Sequence, residues 1–319
     1  MSNPLISFEV ASRVKCKASI MIQGLTGTGK TGLALLIAKA LTKDWSKVGI
    51  IDTENKSANL YTDLKTPDND VYKGFMIGQL TPDIGFKPTN YLAFREVAKK
   101  QGITALIEDS ISHAWQYKGG VLDLVAVAKT KSRHYATDKY AAWGDEDVVK
   151  EKNELLQLIR DPDMHIITTV RVKEKMEYST DETGKTTLVS LGEQQIQQAD
   201  LKYEPDLVLE TLKPGSETEY PVARVIKTRY AFLTKDEVYE FTPTLLEQLR
   251  TYLEEGTSPE ELKEKQQKEY VAAVTELLNS KANLKPIWQV LKKDAGYEGV
   301  KIADLPLSVI KQLYIKITE

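Results

Sequence analysis

Residues 24–31 read Gly24-Leu25-Thr26-Gly27-Thr28-Gly29-Lys30-Thr31, a complete Gly-x4-Gly-Lys-Ser/Thr phosphate loop with Gly32 behind it. The chemistry such a loop serves is the cradling of a nucleoside triphosphate. Its glycines let consecutive N–H groups turn inward on the β-phosphate. Lys30 lays a point charge along the β/γ oxygens, and the Thr31 hydroxyl ligates Mg²⁺. Thr26, Thr28 and Gly32 complete the cradle. ATP and Mg²⁺ are therefore the expected cofactors. Two further groups of acids fit the same chemistry. The apolar run 104–107 ends in Glu108-Asp109-Ser110, and a carboxylate at the C-terminal end of a strand beside a phosphate loop can hold the Mg²⁺ water shell. Asp109 is assigned that role, with Glu108 as its rival. The second group is Ile50-Ile51-Asp52-Thr53-Glu54. Hydrolysis needs a carboxylate to orient the attacking water, and Glu54 is placed for it. Glu108 remains open as the alternative base, and a solvated strand end remains the plain reading of Glu54.

The elements that must carry these residues can be read from the apolar pattern. Ala18–Ile22 precedes the loop as a strand should, and Leu33–Ile37 follows at helical spacing, so bound phosphates meet a helix N-terminus. Strands are expected at 18–22, 48–52, 104–108 and 165–170, and helices at 30–42, 89–100 and 145–160. That alternation predicts an α/β fold with a mainly parallel sheet. Beyond residue 174 the pattern turns to β-rich segments at 175–180, 186–190, 207–210 and 222–227, which extend the sheet with antiparallel strands. Asp181–Gly184 reads as the turn of a hairpin. A helix at 244–254 stops at Glu-Glu-Gly256 and a new one starts at Ser258-Pro259. The expected division is an ATPase-type core over 1–256 and a small domain of three or four short helices over 257–319.

The chain has 319 residues, 41% hydrophobic and 28% charged, with a formal net charge of −3. This describes an ordinary globular protein with no global electrostatic case for nucleic acid, so any such site is a local patch. Cys16 is the single cysteine, which excludes a disulfide framework and fits a reducing cytoplasm. The three histidines (His113, His134, His165) lack ligand spacing. No run approaches the roughly 18 apolar residues of a membrane span, so neither secretion nor a membrane is expected.

Together these motifs resemble the RecA-like recombinase ATPases, most closely the small ATPases of phage recombination modules, including the single-strand annealing type. The resemblance covers 18–250 and rests on order and spacing. Ile51-Asp52-Thr53-Glu54 matches the family's catalytic-glutamate context. Ile166–Lys173 matches its sensor strand and the cationic turn behind it. A glutamine usually occupies the sensor position, and this chain offers Thr169. Val225-Ile226-Lys227-Thr228-Arg229 matches a late strand whose two cations reach the neighbouring subunit's ATP, and Leu201–Leu209 is similar to the same phage proteins.

The resemblance implies an ATPase that self-associates into a filament or ring, binds single-stranded DNA, and works in the cytoplasm of a bacterial host. Lys227 and Arg229 would then act catalytically in trans. Two segments are candidate DNA loops. Residues 118–143 hold five Lys/Arg (Lys118, Lys129, Lys131, Arg133, Lys139) against Asp123 and Asp138, interleaved with His134, Tyr135, Tyr140 and Trp143. Cations and rings in alternation suit single strands; a solvated helix face with rings packed inward explains the pattern equally. The second, Arg171–Gln198, with Lys173, Lys175, Tyr178 and Lys185, follows the sensor strand and reads equally as a plain surface hairpin. The competing function is a nucleotide-gated loader or scaffold that engages a replication or recombination protein through the helical C-terminal domain.

Overall fold

The computed structural model describes residues 11–131, 133–138, 140–180, 186–213 and 218–318. The chain begins its sheet with β1 (Ser19–Gly24), which runs through the phosphate loop into α1 (Lys30–Thr42). Then come β2 (Val48–Asp52), β3 (Met76–Gln79), α2 (Pro88–Lys100) and β4 (Ala105–Asp109). Four helices follow: α3 (Ser112–Gln116), α4 (Val121–Lys131), α5 (Arg133–Thr137) and α6 (Glu146–Gln157). The chain re-enters the sheet as β5 (His165–Thr180), β6 (Thr186–Gln195), β7 (Leu207–Leu212), β8 (Val222–Thr228) and β9 (Val238–Glu240), then leaves it in α7 (Pro243–Glu254).

The strands form one mixed sheet in the order β3-β2-β4-β5-β1-β7-β8-β9, with β6 paired to β5. From β3 to β7 every pairing is parallel; β8, β9 and β6 add antiparallel edges. β1, β2 and β4 are buried along their full length, as parallel strands covered on both faces must be. Alternation splits their side chains between two cores. Ile20, Ile22, Ile50 and Ile107 meet the apolar side of α1 and α7, whereas Met21, Ile51 and Leu106 meet α2, α4 and α6. The α/β fold with a mainly parallel sheet and antiparallel extensions is the one expected. β5 is much longer than 165–170. The expected turn Asp181–Gly184 lies outside the described residues, as does Lys185.

Residues 118–143 are not a loop. They fold into α4, α5 and a single turn at 141–144, because their apolar residues recur at helical spacing: Val121, Val125 and Ala128 are buried in the sheet-facing core.

Two compact units emerge. One is Cys16–Leu253; the other is Glu254–Glu319 together with the N-terminal segment up to Lys15. The sequence placed that segment with the core. Backbone bonds place it otherwise: Lys15 N–H donates to the Thr257 carbonyl, and Thr257 N–H to that of Arg13. The second unit contains α8 (Pro259–Ser280), α9 (Leu284–Asp294) and α10 (Leu307–Thr318) around Val274, Trp288, Ile310 and Leu313. α8 is a long helix of 22 residues, opened by a Ser258/Glu261 capping box with Pro259 in its first turn. No described helix is long and apolar enough to cross a membrane.

Candidate nucleotide site

The site lies where β1, β2, β4 and β5 end. Gly24 has φ +154°, and a Cβ there would lie 2.2 Å from the Thr211 hydroxyl, so only glycine fits where the loop leaves β1. Gly27 and Gly29 also have positive φ, with open space where a Cβ would project. Gly29 is the N-cap of α1 and provides no side-chain cap, which leaves the first-turn N–H groups for an anion. Lys30 Nζ donates to the carbonyls of Gly24 (2.9 Å) and Leu25 (2.8 Å), folded over its own loop. Thr28 is tied to the Leu25 carbonyl and the Thr211 hydroxyl. Leu25 and Thr26 form the exposed outer edge of the loop.

At the ends of β4 and β5 the sequence-distant residues converge. Thr31 Oγ1 donates to Asp109 Oδ2 at 2.6 Å, and Thr169 Oγ1 donates to Asp109 Oδ1. β5 lies between β1 and β4, so Thr169 comes to Asp109 from the intervening strand. Burial pushes the Asp109 carboxyl above its ordinary range; the two hydroxyls pull it down, and Glu54 and Asp52 push it further up. A carboxylate in that state gains from a cation. Hard oxygen donors on a buried acid and a loop threonine suit Mg²⁺, which takes few protein ligands and shares phosphate oxygens. Thr31 and Asp109 would hold it, and it would neutralise charge developing on the phosphates. Thr169 meets the site through its bond to Asp109.

Glu54 is held by its neighbours. Asp52, buried at the end of β2, accepts from the N–H groups of Glu54 (2.7 Å) and Ala58 (3.1 Å) and shapes the segment that carries Glu54. Thr53 locks that segment to β4: its N–H and hydroxyl donate to the Asp109 carbonyl, and its hydroxyl accepts from Ser110 N–H. Arg171, at the end of the sensor stretch of β5, donates to Glu54 Oε1 at 2.9 Å and to the Tyr117 hydroxyl at 3.2 Å.

Glu108 is elsewhere. It faces α2, is 0% exposed, and takes a 2.7 Å ion pair from Arg95. Burial raises its carboxyl against the pull of that guanidinium. One residue of strand register turns it away from the phosphates, so the geometry leaves Glu54 as the carboxylate on the nucleotide side.

Lys227 and Arg229 are not near this chain's phosphate loop. Thr228 pairs with Leu207 and Leu207 with Ile20, at the end of the sheet opposite Gly24. Lys227 Nζ donates to the carbonyls of Tyr203 and Pro205, and Arg229 to Asp206 at 2.8 Å. Burial and the charge of Arg229 push the Lys227 ammonium below its ordinary range.

In the first candidate DNA segment, Lys131 is tied to Asp145 and Asp147, while Tyr135 and Trp143 pack against the core. Tyr140 is 70% exposed, and Lys139 lies outside the described residues. In the second, β5 and β6 form a long antiparallel hairpin rooted beside Arg171.

Sequence reasoning did not find Tyr61, whose ring packs over Gly32 and whose hydroxyl is pushed up first by burial and then by Asp109. It stands in a short turn after β2 with no motif around it. His113 was equally silent. It lies between Phe86 and Tyr117, tilted to both rings, near the Glu54–Arg171 pair, and neither ring nitrogen has a hydrogen-bond partner among the described residues.

Residues 16–236 match the AAA domain family, and the chain belongs to it. It is thus a P-loop protein with an ATP-binding, ATPase-type core. No curated protein matches the chain.

Proposed function

We propose that this protein is a magnesium-dependent ATPase of the RecA-like kind that self-associates, binds single-stranded DNA and serves recombination or annealing. The observation that carries the reading is the origin of the two acids. Asp109 ends β4, while Glu54 comes from the neighbouring strand β2, with Glu108 turned to the far face. In that arrangement Glu54 orients the attacking water and Lys30 stabilises charge at the β/γ oxygens.

The position of Lys227 and Arg229 supports a role across a subunit boundary. They are too far along the sheet to serve their own loop, so any contact they make with nucleotide is with another copy's. The β5–β6 hairpin supports the DNA contact, because Arg171 joins its root directly to Glu54.

ATP turnover with and without oligothymidylate, alongside mass photometry with ATP, tests the reading. DNA is expected to raise turnover severalfold and ATP to shift the mass above one chain. Equal turnover and a single-chain mass would sink it, and stimulation by a replication protein in place of DNA would favour a loader.

A further inference from the structure

The C-terminal helical unit contains a cavity of about 670 Å³ between the end of α8, one face of α9 and residues 299–302. Its apolar wall includes Leu278 and Val300. Lys285, Lys292 and Lys301 line it, and none of the residues lining it is acidic. Two buried groups there are left incomplete by the chain. Trp288 is 1% exposed, and its indole N–H has no acceptor among the described residues. Lys292 is 4% exposed and donates only to the Val300 carbonyl; among the described residues no carboxylate neutralises it. An orphaned buried donor and an uncompensated buried charge both cost free energy, and one ligand group would relieve both. That group is an anion.

The lining also distinguishes among anions. Bases of single-stranded nucleic acid stack on exposed rings. The one ring lining the cavity belongs to Trp288, whose faces are buried in the helical core. An aliphatic or aromatic side chain, in contrast, fits the Leu278–Val300 wall, with lysines at the rim for neighbouring acids.

We infer that this cavity binds an acidic peptide segment of a partner protein. An apolar residue seats on the wall, and its adjacent carboxylate meets the Lys292 ammonium and the Trp288 N–H. This inference is independent of what the nucleotide site does.

The test uses the full chain and a fluorescein-labelled peptide of aspartates ending in a phenylalanine carboxylate. An Asn-for-Asp peptide with an amidated end and unlabelled oligothymidylate serve as comparisons. Fluorescence anisotropy should show micromolar binding of the acidic peptide only, with oligothymidylate failing to displace it. The rim variant Lys285→Glu/Lys301→Glu should bind at least about tenfold more weakly while keeping its helical circular dichroism and its ATP turnover. Trp288→Phe keeps an aromatic side chain in the core, though a smaller one, and removes the indole donor, and should weaken binding by a smaller factor. Failure of the wild-type chain to prefer the acidic peptide, undiminished binding by the rim variant, or displacement by oligothymidylate would each overturn the inference.

Discussion

Glu108 and Asp109 are consecutive acids on one strand, and they inhabit different proteins in all but sequence. Glu108 faces α2, where Arg95 pairs with it and also donates to the carbonyls of Gln157, Leu158 and Arg160. Asp109 faces α1, where its partners are two neutral hydroxyls. The first carboxylate is matched by a full opposite charge inside the chain, through Oε1, while its Oε2 has no hydrogen-bond partner among the described residues. The second has only dipoles for partners and an opening to the phosphate loop. A buried acid with a charged internal counter-ion serves the fold; one held only by hydroxyls is available to a cation.

The largest effect should come from breaking the matched side. Arg95→Ala leaves Glu108 buried without its cation and the carbonyls of Gln157, Leu158 and Arg160 without their donor. We expect a loss of about 3–5 kcal/mol in urea denaturation. Arg95→Met combined with Glu108→Leu removes both charges and should recover the part of that loss due to the unpaired carboxylate, while the three carbonyls stay without their donor. If the double variant is as unstable as the single, the pair is not a closed unit.

Next in size is the catalytic contrast. Glu54→Gln should keep nucleotide affinity and lose turnover by roughly two orders of magnitude or more, the worth of a positioned base. Glu108→Gln should leave turnover within severalfold once the protein is folded. Steady-state kinetics on both variants decides, and the reverse pattern would exchange the two faces.

These two acids also mark how far the sequence could be read. The phosphate loop announced itself because its spacing is dictated by phosphate geometry, and the strands carrying it are continuous apolar runs. Asp109 and Glu54 were legible as strand-end acids. The choice between Glu54 and Glu108 was not, because a single residue of register separates the nucleotide face from the α2 face. Arg95 gave no signal, since its partner is 13 positions away and its burial is a tertiary fact. Residues 118–143 looked like a basic, aromatic loop because cations and rings alternate there. The fold uses Tyr135 and Trp143 for packing and gives Lys131 to Asp145. Composition states which groups are present but not which of their atoms are already bonded.

His113 extends the comparison to a buried group whose ring nitrogens have no hydrogen-bond partner among the described residues. Burial, aided by the charge of Arg171, lowers its imidazole to about 4 from an ordinary 6.5. The folded chain therefore refuses a proton that the unfolded chain accepts between those values. Its contribution is present above about pH 6.5 and falls as pH drops toward 4. Between about pH 7 and about pH 5 this removes up to about 2 kcal/mol. His165, lowered to about 3 by burial, contributes with the same sign. Urea denaturation of His113→Phe at the two pH values should show a flatter dependence than wild type; an unchanged slope would mean His113 is hydrated and ordinary.

The smallest effect is the finest probe of the open side. Thr169→Val keeps the shape of the β5 side chain and removes the hydroxyl that donates to Asp109 Oδ1. Thr31 continues to serve Oδ2, so the carboxylate stays in place but loses one of the two interactions that favour its ionised form. The hydroxyl bond to a charged acceptor is worth about 1.5 kcal/mol, so the magnesium concentration for half-maximal turnover should rise about tenfold. At saturating magnesium the rate should return to wild type, because neither Glu54 nor Lys30 has been touched. A fall in the saturated rate with no change in magnesium dependence would place Thr169 on the reacting phosphate and not behind Asp109. The distinction between a matched acid and an available one would then have to be drawn at Thr169 as well.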